Sequence, residues 1–330
     1  MSISEPQPRL AVRSVDDLVS LVPYLIGFHP EESLVAMVLQ EGRVVVTARV
    51  DLAAVRDTAA LDALLARLFG RFPTAEGWFL AYTDDEDLAW QVLAGCVEVV
   101  GLARLGRLLQ VGTTSWRTDC PDGAVGAITG AVSAAAAQAA VLGLPARASR
   151  RELAAGIAGP PDAEVDGLVA AFHAAGPGLA GLGERGRRRL LRRLLKAPTP
   201  PGRADCVRLG LLAATPEGQL EALRLVHRGN AAEHLERWTQ VVRYCPVGFR
   251  PSVLGLLGVA AWQTGDGALQ VVCLEQLDRI DPCTPLAALL DWLNVNVVPP
   301  EEWDGAREPL LAALAADLRP PGPPASRRRR

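Results

Sequence analysis

Hydrophobic and polar positions in the first third of the chain switch repeatedly between helical and strand periods. Leu18, Leu21 and Val22 follow Ser14, Asp16 and Asp17 at helical spacing, which predicts a Ser14-capped helix stopped by Pro23 and Gly27. Residues 33–39 form a nearly unbroken apolar run, the pattern of a strand covered on both faces. Glu41 and Gly42 then predict a turn into residues 43–51, where Val44, Val46, Ala48 and Val50 alternate with Arg43, Val45, Thr47 and Arg49. An antiparallel hairpin with one partly polar face results. Leu61, Leu64, Leu65 and Leu68 place a helix within residues 52–72, residues 77–83 read as a strand, acids from Asp84 open a helix reaching residue 102, and residues 106–111 read as a further strand. The order α-ββ-α-β-α-β predicts a mixed sheet whose last two strands pair in parallel through right-handed crossovers.

Beyond Gly112 the strand signals stop. Residues 116–123 read as a polar loop, the Ala-rich residues 123–146 as a buried, close-packed helix, and Ser149 with Glu152 as the capping box of a short helix. The Ala-rich stretch is uncharged and long enough to span a bilayer, with Gly126 and Gly130 at a packing spacing. Ala, Gly, Ser, Thr and Gln stand where insertion needs Leu, Ile and Phe, so no membrane segment is expected. Gly159, Pro160 and Pro161 read as a linker, and every periodic segment after them is helical. The expected class is α+β or α/β: a mixed α/β domain over residues 1–158, an all-α domain over 159–318, and a disordered Pro/Arg tail over 319–330. Gly258, Gly265, Asp266 and Pro282 fit one tetratricopeptide-like hairpin, although Gly267, Gln270 and Leu277 depart from that pattern and no second copy is evident.

Composition narrows the function classes. With 330 residues, 49% of them hydrophobic, the chain can bury two cores. A net charge of -3 and a pI of 5.9 give no global attraction for polyanions, so nucleic-acid binding would need a local patch and is disfavoured. The six cysteines, Cys96, Cys120, Cys206, Cys245, Cys273 and Cys283, form no C-x-x-C pair and have no histidine at zinc-finger spacing. They read as small apolar residues in a reducing cytoplasm, and the first ten residues lack the features of a secretory signal. No cofactor and no metal site is expected.

Four groups of residues carry candidate chemistry. Arg49 and Asp51 project from one face at a strand end; they form either a structural ion pair or, with Tyr24, Phe28, Ser33 and a closing Trp116, the polar side of an anion pocket. His29, Ser33 and Asp51 contain the residue types of a nucleophilic relay but no Gly-x-Ser-x-Gly elbow. His227, Glu233, His234 and Glu236 resemble a metal cluster, interrupted by Gly229 and Asn230. Residues 185–196 form a basic amphipathic helix in which Arg188, Arg189, Arg192 and Arg193 are candidate phosphate contacts, against the alternative of a solvated charged face.

Pro23, Tyr24, Leu25, Gly27, Phe28, Pro30, Ser33, Leu34 and Val35, followed by Arg49, Val50 and Asp51, resemble the signature of an actinobacterial family of unknown function. Similarity continues at Trp116, Ser149, Trp238, Trp262, Asp281 and Trp303. The resemblance implies no reaction. The expected function is a non-catalytic cytoplasmic interaction or regulatory protein with a protein partner. The alternative is a small-molecule enzyme, a hydrolase or transferase, with its pocket at Arg49 and Asp51, and nucleic-acid binding through residues 185–196 stands third.

Overall fold

The computed structural model describes residues 12–118, 123–128, 133–144 and 146–317. Cys120 and the 319–330 tail lie outside the described residues. The chain forms two compact units, divided between Leu153 and Ala154, with Val295–Val297 belonging to the first.

The first unit contains α1 (Val15–Ile26), β1 (Ser33–Gln40), β2 (Arg43–Asp51), α2 (Leu52–Val55), α3 (Thr58–Arg71), β3 (Glu76–Tyr82), α4 (Glu86–Val100), β4 (Leu105–Val111), β5 (Ser115–Thr118), β6 (Val125–Ala127), α5 (Ala134–Val141) and, at its boundary, α6 (Arg150–Ala155). Six strands form one mixed sheet in the order β2-β1-β3-β4-β5-β6. β3 and β4 pair in parallel, as the intervening helix pattern predicts, and the other neighbours are antiparallel.

Ser14 caps α1, its Oγ accepting from the Asp17 amide at 3.0 Å. Pro23 does not stop this helix. It removes one donor, but burial of Leu18, Leu21, Val22 and Ile26 carries the helix through to Gly27, whose φ of 82° ends it in the left-handed region. The hairpin turn has positive φ at both Glu41 (51°) and Gly42 (71°), the geometry that matches strand twist. A bulge leaves Val45 unpaired, because Leu39 opposes Val44 and Val38 opposes Val46, so the alternation read across β2 is broken there.

One sheet face packs Leu34, Ala36, Val38, Phe79, Ala81 and Leu108 against Leu61, Leu65, Phe69, Leu93 and Cys96 of α3 and α4. On the other face Val35, Met37, Leu80 and Leu109 are also buried, and α1 lies on that side, tied to it by the Trp116–Asp16 hydrogen bond. Double coverage is why β1 reads as a continuous apolar run.

Two expectations fail beyond Gly112. Residues 115–118 form β5, which pairs with β4 through Val111 and Trp116, and β6 follows; pairing to an existing edge, rather than strand propensity, makes these short strands. A Cβ at Gly126 would overlap the Trp116 indole, so glycine is what admits that ring beside β6. Within the Ala-rich stretch only α5 is helical among the described residues, with Ala135, Ala136 and Ala139 buried. No helix of the described residues is long and apolar enough to cross a membrane.

The second unit is helical: α7 (Asp162–Ala180), α8 (Gly183–Leu195), α9 (Arg203–Ala213), α10 (Pro216–Leu225), α11 (Ala231–Arg243), α12 (Arg250–Thr264), α13 (Gly267–Ile280), α14 (Pro285–Val295) and α15 (Trp303–Asp317). The central helix is α12, whose residues from Val253 to Gln263 are all buried. A Cβ at Gly258 would stand 2.6 Å from Leu290 and one at Gly255 2.5 Å from Leu286, which is how α14 seats against α12. Gly265 at φ 83° ends α12, and Asp266 caps α13 by accepting from the Leu269 amide at 2.9 Å.

Candidate functional site

The sheet register gathers Ser33, Arg49 and Asp51 at one end of the sheet. Ser33, at the start of β1, lies opposite Asp51 at the end of β2 and opposite Tyr82 at the end of β3. The carboxyl ends of the parallel strands β3 and β4 meet there, where ligands of α/β sheets commonly bind.

Arg49 organises the face that carries α1. Its Nε donates to Ser33 Oγ at 2.8 Å, its Nη2 lies 2.6 Å from Asp51 Oδ1, and Nη2 also donates to the Glu31 carbonyl at 3.4 Å. The guanidinium sits 5.8 Å from the Phe28 ring centroid, a cation–π contact. Ser33, fully buried, donates its hydroxyl proton to the Glu31 carbonyl at 2.5 Å. Arg49 is 16% exposed and Asp51 66%, so the arginine is held in the protein while its acid faces water. Ser33, Phe28, Arg49 and Asp51 thus form one clamp.

Tyr24 and Trp116 are not part of it. Tyr24 is half-buried on α1 without a hydrogen bond to the clamp. Trp116 points its Nε1 at Asp16 Oδ1, 2.7 Å away, and so ties β5 to the first turn of α1. His29 is exposed, with its amide donating to the Arg147 carbonyl.

The opposite face of the same end holds a second cluster. Thr83 donates its hydroxyl proton to the Glu32 carboxylate at 2.8 Å and accepts from the Asp85 amide at 3.1 Å. Asp85 caps α4, accepting from Leu88 at 3.0 Å. Asp84 Oδ1 accepts from the Thr113 amide at 2.8 Å. Buried Gln110 donates to the Thr83 carbonyl at 2.7 Å, while its Oε1 has no partner. On the clamp's own face, Tyr82 beside Ser33 has an unpartnered buried hydroxyl, and burial pushes its phenol pKa up. Glu32, Thr83, Asp84 and Gln110 went unnoticed in the sequence because only the register unites them; the Thr83-Asp84-Asp85 run between strand and helix was the available signal.

Two recesses were located elsewhere. One of about 60 Å³ lies among Arg13, Val15, Leu18, Trp78 and Arg107, and one of about 10 Å³ among Glu184, Arg188, Leu212 and Thr215. Their size admits water rather than a metabolite.

In the second unit, the basic helix α8 is partly neutralised. Arg192 pairs with Glu221, whose side chain is 2% exposed, and Arg188 lies 3.6 Å from Glu221 and 2.7 Å from Glu184. Arg189 and Arg193 lie exposed. His234 is buried and its ring pKa falls to about 4 through desolvation and the nearby Arg237 and His227 cations; its Nδ1 has no partner. Among the described residues no three His, Cys, Asp or Glu side chains converge to hold a metal ion.

Residues 16–301 match the family model described as a domain of unknown function, DUF4192. The chain belongs to this family. The match runs through both units of the DUF4192 chain, from the first turn of α1 to beyond α14. No curated protein and no solved structure gives a significant match to it.

Proposed function

We propose that this DUF4192 protein is a non-catalytic cytoplasmic interaction or regulatory protein whose helical unit presents the surface for a protein partner. Trp292 carries the reading. Helix α14 buries Leu286, Leu289, Leu290 and Leu293, yet Trp292 stands 42% exposed. Tryptophan is the side chain most often found at the energetic centre of interfaces, and the exposed part of the Trp292 side chain is apolar surface that a protein partner can cover. The signature around residues 23–51, which we take as the family hallmark, acts on this reading as a clamp of the fold. Arg49 is engaged through Nε, Nη2 and its π-facing side, which supports a structural rather than a catalytic duty. Buried thiols at Cys96, Cys206, Cys245 and Cys273 support a reducing compartment.

The test is quantitative co-purification from the source cells with tagged wild-type, W292A and W292F chains at matched expression. A partner recovered with wild type and W292F, and reduced at least tenfold with W292A at unchanged melting temperature, is the expected result. An identical partner set with W292A removes Trp292 as the contact.

A second reading, a small-molecule ligand at the carboxyl edge of β3 and β4, is favoured by the unpartnered Oε1 of buried Gln110. Thermal-shift screening of metabolites supports it if a compound raises the melting temperature of wild type and not of Q110L. A panel without effect on wild type counts against it.

A further inference from the structure

Helix α8 divides its cations into paired and unpaired groups. Arg188 and Arg192 turn toward the buried Glu221, and Leu191, Leu194 and Leu195 pack inward, so the rotation of the helix is fixed. Arg185, Arg189, Arg193 and Lys196 then fall at steps of four, four and three residues, the spacing of a single helix face, and all four are exposed. No acid is paired with any of them among the described residues, although acids are paired with Arg188, Arg192, Arg203 and Arg208 of the same unit. The stripe runs about 16 Å at 1.5 Å per residue. That length matches about five base pairs of a duplex, at ~3.4 Å of axis each. Three of the four cations are guanidinium forks, which engage phosphate oxygens in pairs.

We propose that this outward stripe docks the phosphate backbone of a nucleic acid without reading its sequence. Charge complementarity selects the occupant: the chain is acidic overall at -3, so only a partner of high linear charge density is held by four local cations. Arg192 borders the stripe, but its charge and that of Arg188 are offset by Glu221 and Glu184. The apolar side of α8 is buried, which leaves nothing to insert into a lipid surface.

The experiment is fluorescence anisotropy of the full chain with a labelled 20-base-pair duplex DNA, the matching duplex RNA, and polyglutamate, from 50 to 200 mM salt. Micromolar binding to the duplexes is expected at low salt, with a slope of log K against log salt of about -3.6 for four DNA phosphates. R185Q/R189Q/R193Q should weaken binding at least tenfold and reduce the slope to about -0.9. R208Q/R243Q/R279Q, which removes the same charge from other surface positions, should leave binding within twofold, and circular dichroism with melting curves verifies that both variants fold. Absence of duplex binding at 50 mM salt, equal loss in the two triple variants, or polyglutamate binding as tightly as the duplexes overturns the proposal, the last in favour of an acidic protein.

Discussion

Replacing Arg49 by methionine preserves most of the aliphatic stem and removes the guanidinium that joins β1, β2 and the chain leading into β1. The hydrogen bond from a charged donor to buried Ser33 is worth about 1.5–3 kcal/mol. The contact over Phe28 adds about 0.5–1 kcal/mol, and the pair with Asp51, whose side chain is two-thirds in water, adds about 0–1 kcal/mol. Ser33 keeps its bond to the Glu31 carbonyl, so its hydroxyl is not orphaned and the terms do not grow further. The expected loss is about 2–4 kcal/mol in the first unit, because neighbouring contributions overlap. Urea unfolding read by hydrogen exchange of β1 and β2 amides measures it in that unit alone. At a typical slope of about 2 kcal/mol per molar, the midpoint falls by about 1–2 M. D51N should cost under about 1 kcal/mol. A change below about 0.5 kcal/mol for R49M, or a D51N effect as large as that of R49M, refutes the clamp.

Three further outcomes follow from the geometry. At Gly218 a Cβ would overlap the Leu212 carbonyl oxygen, so G218A should destabilise the helical unit by about 2 kcal/mol or more in urea melts. Gly126 gives way to the Trp116 ring, so G126A should displace that indole and break its bond to Asp16, read as loss of a protected indole N–H signal. His234 has its folded pKa lowered from 6.5 to about 4, so the folded state favours the neutral ring, its contribution is complete above pH 6.5, and stability falls between pH 6.5 and 4 by up to about 3 kcal/mol. In H234L that part of the pH dependence should vanish, as measured by urea midpoints across the window.

Local chemistry made much of this fold legible. The Glu41-Gly42 turn, the apolar run of β1 and the caps at Ser14 and Asp266 each combine a residue type with the backbone state it favours. The segments beyond Pro161 are helical, as their periodicity predicts, with Asp266 capping α13 and Pro285 opening α14. Where tertiary pairing decides, the reading failed. β5 is a strand because β4 offers an edge, α1 survives Pro23 because four neighbours are buried, and Val45 bulges between two well-paired stretches. The site divides in the same way. Ser33, Arg49 and Asp51 were readable through their alternation on one hairpin, whereas Glu32, Thr83 and Gln110 come together only through the register of β1, β3 and β4. Among the arginines of α8, sequence shows seven similar cations with the lysine, and only the position of Glu221 separates the paired from the unpaired ones.

The proposed protein contact of the helical unit centres on Trp292. Incorporating a photo-crosslinking phenylalanine derivative at position 292, with a second chain carrying it at exposed Asp62 on α3, and irradiating intact cells tests that contact directly. A protein partner at Trp292 gives one discrete protein adduct from position 292 that is absent from position 62. The same adducts from both positions, or none from 292 while the label at 62 captures a partner, would contradict it.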